Sequence, residues 1–155
     1  MKKLMRKMGA AVLTLLLSGS PALADGLIMA RMDKPFPEAM TLLQSAISSR
    51  GYAITRLQQV NENLGRRDFK SDMYRVVYFG KLEEVRHVTA AHPELIPFLP
   101  LNITIFAEGE QALLVASHPQ MLYQFFPDPA LKPVLDRWEK DMDDIMDELR
   151  EGDGS

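Results

Sequence analysis

The chain contains no cysteine. That absence removes thiol catalysis, Cys-ligated zinc, iron–sulfur clusters, c-type haem attachment and disulfide staples together. It also removes the lipidated cysteine of a bacterial lipoprotein anchor. Histidine is scarce, with three in 155 residues, and there is a single tryptophan. No serine-based elbow, phosphate loop or dinucleotide fingerprint is present. The N-terminal apolar run Gly9–Leu17 is near half of the roughly 20 residues that a membrane-spanning helix needs.

What is present begins with a leader. Lys2, Lys3, Arg6 and Lys7 precede Gly9–Leu17, and Ser18-Gly-Ser-Pro-Ala-Leu-Ala24 then offers small residues at Ala22 and Ala24. Residues 1–24 therefore read as a secretory signal peptide with an A-x-A-type site, cleaved after Ala24 to release a periplasmic protein that starts at Asp25. The leader holds four of the 18 basic residues and none of the 21 acidic ones, which leaves 14 against 21 and a mature formal charge of −7. Nucleic acid is disfavoured as a partner, because its binding depends on Lys and Arg neutralising phosphates. An anionic membrane surface is disfavoured for the same reason. The 131 residues that remain are enough to bury a core without disulfides.

The mature chain alternates short β-formers with amphipathic helices. Leu27–Met32 suits a first strand, stopped by Asp33-Lys-Pro-Phe-Pro37. Phe36, Ala39, Met40, Leu43, Ala46 and Ile47 recur at helical spacing, with Pro37 in the first turn and Gly51 just past the end. Tyr52–Val60 reads as a second strand with one wet side, Asn61–Asp72 as an exposed polar loop, and Tyr74–Phe79 as a third strand ended by Gly80. Leu82, Val85, Val88 and His92 form one stripe of a second helix over 81–92. Pro93–Pro100 then leads into two apolar runs, 101–107 and 112–117, flanking Glu108-Gly109-Glu110.

Those runs read as an antiparallel hairpin. With Gly109 at its tip, Ile103 and Ile105 share a face with Leu113 and Val115. Phe106, Leu114 and Ala116 occupy the other face, so both sides are expected to be covered in a central position of the sheet. Met121–Phe126, closed by Pro127-Asp-Pro129, fits a short helix or an ordered loop. Leu131, Val134, Leu135, Trp138, Met142, Ile145, Met146 and Leu149 trace the stripe of a last helix, whose other face is acidic, and 153–155 form a frayed tail. The order βαββαββα predicts one α+β domain over 25–152, a largely antiparallel sheet of about five strands with helices packed on it.

Ser48-Ser-Arg-Gly51 ending the first helix, Tyr74–Gly80, and above all Leu99-Pro-Leu101 leading into the hairpin resemble the domain-of-unknown-function 302 family over most of Leu27–Leu149. The resemblance implies a compact α+β domain, often a homodimer, with no established activity and no catalytic residue to carry over. The acidic last helix is more heavily charged than the resemblance requires.

Candidate chemistry is thin. His87 and His92 fall roughly 140° apart on a helix of 3.6 residues per turn, so they are no natural chelating pair. His92 and His118 each precede a proline and read as element ends. Seven methionines follow the leader; Met40, Met142 and Met146 fall on core stripes, Met29 and Met32 lie within or beside one strand, and no clustered Met motif exists. Asp141–Glu148 lacks the alternation of a Ca²⁺ loop and reads as a solvated face. No metal ligand set and no cofactor is predicted. The aromatics Tyr123, Phe125, Phe126 and Trp138 crowd around two prolines, and two readings stand: packing under the last helix, or an apolar surface for a ligand or partner that His92 and His118 adjoin. The leading expectation is an exported, non-enzymatic module that binds a protein partner or a small apolar ligand. The alternatives are a copper or haem binder using Met and His, and a hydrolase using unrecognised carboxylates.

Overall fold

The computed structural model describes residues 26–59 and 73–151. The expected signal peptide with its processing site, the expected loop at 61–72 and the expected tail at 153–155 all lie outside the described residues. The elements are β1 (Leu27–Met32), α1 (Phe36–Ser49), β2 (Ala53–Gln59), β3 (Tyr74–Gly80), α2 (Leu82–Ala91), a 3₁₀ helix (Pro93–Phe98), β4 (Leu101–Glu108), β5 (Gln111–Ser117), α3 (Met121–Phe125) and α4 (Lys132–Glu151). The five strands form one antiparallel sheet in the order β1-β5-β4-β3-β2. The protein is thus α+β, with β4 at the centre. Among the described residues, no helix is long and apolar enough to cross a membrane.

Alternation along each strand decides where the core sits. Ile28, Ala30 and Met32 of β1, Ala112, Leu114 and Ala116 of β5, Leu101, Ile103 and Ile105 of β4, and Val77 and Phe79 of β3 are buried and aligned by the strand register. Helices α1 and α4 cover that face: α1 against β2, β4 and β5, and α4 against β1 and α1. Gly51, at φ 77°, ends α1 in a conformation that glycine adopts without steric cost, its N–H bonding the Ser48 carbonyl at 3.0 Å. The Arg50 guanidinium ties that end to α4 through the Glu148 carboxylate at 2.6 Å and the Asp144 carbonyl at 2.9 Å.

The hairpin register corrects the sequence expectation. Glu108 pairs with Gln111 across a two-residue turn, Gly109-Glu110, with Gly109 at φ 64°. Ile105 therefore faces Leu114, and Phe106 faces Leu113, so Ile103 and Ile105 share the buried face with Ala112, Leu114 and Ala116 rather than with Leu113 and Val115. Placing the turn one residue later inverts every side chain of one strand relative to the other. Two further expectations shift. The face that carries Thr104, Phe106, Leu113 and Val115 is only half-buried, and the helices pack on the opposite one. In α2, Val88 alone is buried, while Leu82 is 58% exposed.

The stripe of α4 is as the spacing predicts, with all eight of its apolar positions from Leu131 to Leu149 in the core. Trp138 is 1% exposed, and its indole Nε1–H donates to Glu84 of α2 at 2.5 Å. Tyr52 stacks edge-on against Phe79 at 5.4 Å, donates to Asp141 Oδ2 at 2.7 Å and lies under the Lys81 ammonium, which reaches the same carboxylate oxygen at 3.2 Å. Burial, and next the hydrogen bond to Asp141, push the Tyr52 phenol far above its ordinary pKa.

Candidate functional site

Two clefts of the described structure open beyond the end of β5, the first of them also beside the end of β3 and the start of β4. The chain leaves β5 at Ser117 and turns through His118-Pro119 into α3. The His118 N–H bonds the Gly26 carbonyl at 3.4 Å, and its carbonyl accepts the Met121 N–H at 3.0 Å, so its backbone is held on both sides. The Phe126 N–H closes α3 on the Leu122 carbonyl at 2.9 Å, and the Asp128 carboxylate caps the next bend by accepting the Ala130 N–H at 2.8 Å before α4 begins.

The first cleft, about 400 Å³, lies between Phe98-Leu99-Pro100 on one side and Leu122 and Phe125 on the other, with Tyr78, Pro119 and Met142 also in its wall. Phe98 is 47% and Phe125 66% exposed. Phe126 packs against the core and meets the Phe98 ring edge-on at 5.8 Å. The second cleft, about 560 Å³, is bounded by α3 and the start of α4 and is more polar, with His118, Gln120, Tyr123, Asp136 and Glu139 in its wall. His118 and Met121 line both clefts.

Of the six residues singled out from sequence, four meet here: Phe125 and His118 in the first cleft, Tyr123 and His118 in the second, and Phe126 behind the Phe98 ring. Trp138 does not join them, because its ring is buried against the core and its polar atom is satisfied by Glu84. His92 sits at the end of α2, with Nδ1 3.3 Å from Glu94 and Nε2 3.8 Å from Asp128.

A grouping that the sequence reading missed surrounds His118. Its Nδ1 pairs closely with Glu139 Oε1, while Glu139 Oε2 accepts the Gln120 N–H at 3.1 Å. Asp143 follows one helical turn later on the same face of α4, and donor atoms of His118, Glu139 and Asp143 all lie within 4.8 Å of one another in half-buried positions. Burial, and after it the neighbouring Glu139 charge, hold the Asp143 carboxyl above its usual range. Neither histidine spacing nor a contiguous Ca²⁺-loop pattern reveals this group, because a mixed set from the turn after β5 and from α4 has no local signature.

The profile of the domain of unknown function DUF302 matches residues 28–149. The chain belongs to the DUF302 family. A solved structure of similar fold is the uncharacterized conserved protein DUF302 from Bacillus stearothermophilus, 20% identical, with a TM-score of 0.72 over 80% of this chain and 98% of that one. No curated protein matches the chain. At this identity the likeness to the DUF302 structure carries the fold alone, so the function rests on the clefts.

Proposed function

We propose that this DUF302 protein is an exported, non-enzymatic binding module that takes a small apolar ligand in the cleft between Phe98-Leu99-Pro100 and Phe125. The observation that carries the reading is the exposure of two phenylalanines at that cleft, at 47% and 66%. Keeping such rings in water forgoes burial worth about 25 cal/mol per Å² of apolar area, and paired exposed aromatics beside a concave apolar wall mark ligand and partner surfaces. Copper or haem held by methionine and histidine has less support. Met32, Met142 and Met146 are in the core, the exposed Met29 and Met73 lie on separate segments from the histidines, and Met121 beside His118 is a single thioether.

Native mass spectrometry of periplasmic material reads the processed mass and any retained ligand together. The expected result is a chain beginning at Asp25 carrying a small apolar molecule, and an environment-sensitive apolar dye should compete for the same site. Phe98→Ala with Phe125→Ala should weaken dye binding at least about tenfold, the equivalent of about 1.4 kcal/mol, while the unfolding midpoint changes little because both rings are exposed. Unchanged dye affinity in the folded double variant would remove the cleft from consideration.

A further inference from the structure

We propose that His118, Glu139 and Asp143 form a binding site for one divalent first-row transition-metal ion, with Zn²⁺ the ion that one imidazole and two carboxylates suit. Three donors from two elements lie within 4.8 Å of one another, so small side-chain rotations bring them to the roughly 2.0–2.2 Å metal–ligand distances of Zn²⁺. The frame that carries them is rigid. Glu139 and Asp143 stand one turn apart on α4, whose apolar stripe is in the core, and His118 is held by backbone hydrogen bonds before and after it. The Gln120 N–H on Glu139 Oε2 orients that carboxylate and leaves Oε1 toward the imidazole, a supporting contact of the kind that tunes metal ligands.

Charge points the same way. The cationic side chains along this helix face are engaged elsewhere: Lys132 with Asp136, Lys140 with Asp144 and Arg150 with Asp147. Among the described residues, no ion pair or hydrogen bond is seen at the Asp143 carboxylate. Two carboxylates thus adjoin one imidazole, and a divalent ion would neutralise both. The adjoining cleft supplies access and room for the water that completes a three-ligand zinc site. Ca²⁺ fits poorly, because it takes six to eight oxygen ligands and the set is small and includes nitrogen. Cu(I) fits poorly as well, since Met121, the thioether in this wall, has its sulfur packed beside Gly26.

The test uses the untagged mature protein, stripped with a chelator and titrated calorimetrically with Zn²⁺, Mn²⁺ and Ca²⁺. One Zn²⁺ per chain is expected, together with a rise of the unfolding midpoint that follows metal concentration. Asp143→Asn should weaken Zn²⁺ binding at least about tenfold, the lower end of what loss of even a supporting group costs a metal site. That substitution leaves the His118–Glu139 pair in place, so loss of binding in a folded Asp143→Asn protein separates a metal site from a structural ion pair. Asp147→Asn, on the same acidic face, should bind as the parent does, and so should Phe125→Ala, which keeps this site independent of the apolar cleft. Absence of stoichiometric Zn²⁺ or Mn²⁺ binding, tight one-to-one Ca²⁺ binding, or full affinity in either Asp143→Asn or His118→Gln would overturn the assignment.

Discussion

On one face of the sheet, Ile103, Ile105, Ala112 and Leu114 are fully buried beneath α1 and α4; on the other, their immediate chain neighbours Thr104, Phe106, Leu113 and Val115 are half-buried. Both faces are rich in β-formers, and composition hardly distinguishes them. The covered face gains from helices that interdigitate with it. The open face is held by contacts within the sheet, such as the Tyr74–Phe106 ring pair at 5.5 Å, the Arg56 guanidinium over Tyr78 at 4.3 Å and the Arg31–Glu108 ion pair at 2.9 Å. Such contacts are worth a few tenths to about 1 kcal/mol each. Stability should accordingly be concentrated in the helix layer, while the clefts at the sheet's end are free to vary.

The strongest way to break this contrast is to empty the helix layer at its largest side chain. Trp138→Ala removes a fully buried indole and orphans its Glu84 contact, and should cost about 3–5 kcal/mol, a large part of the roughly 5–15 kcal/mol that holds a domain together. Equilibrium urea unfolding measures it. A midpoint that hardly moved would mean that α4 is not integral to the core.

A sharper comparison sets neighbouring leucines of β5 against each other. Leu114→Ala on the covered face should cost about 2–5 kcal/mol; Leu113→Ala on the open face should cost on the order of 1 kcal/mol. Equal losses would show that something covers the open face in solution. The reverse ranking would favour the register with Gly109 alone at the tip.

The smallest effect lies at the seam between α4 and the sheet edge. Tyr52→Phe should cost about 1 kcal/mol at neutral pH, since Asp141 keeps Lys81. Its signature is in the pH profile. The native phenol titrates far above the ordinary 10.0, so between those values the unfolded chain has released the proton and the folded chain retains it. The contribution is complete below about pH 10 and is lost as pH rises beyond it. Tyr52→Phe should lose less stability than the parent between neutral and alkaline pH, whereas identical slopes would show that Tyr52 ionises freely in the folded protein.

Much of the fold was legible because periodicity is local. The stripes of α1 and α4 and the strand–helix order need only spacing within a dozen residues, and the resemblance carried by Leu99-Pro-Leu101 led to the right family. The hairpin was legible as a hairpin but not in register, because Glu108-Gly109-Glu110 admits two turn placements that differ by one residue and invert the faces. Among the candidate site residues, exposure separated Phe125 from Trp138: chain proximity to prolines marks both, yet one lies on the inner stripe of α4 and the other on a short helix at the rim.

By itself the sequence determined the secondary elements, their order, the core stripe of α4 and the exclusion of cysteine chemistry, since each depends on residue identity or on neighbours a few positions away. Only the tertiary structure decided which face of the hairpin is buried, that Phe98 and Phe125 flank one cleft, and that His118 meets Glu139 and Asp143. Phe98 lies more than 20 positions from Phe125, as His118 does from Glu139 and Asp143, and such meetings are long-range packing outcomes that no local spacing encodes.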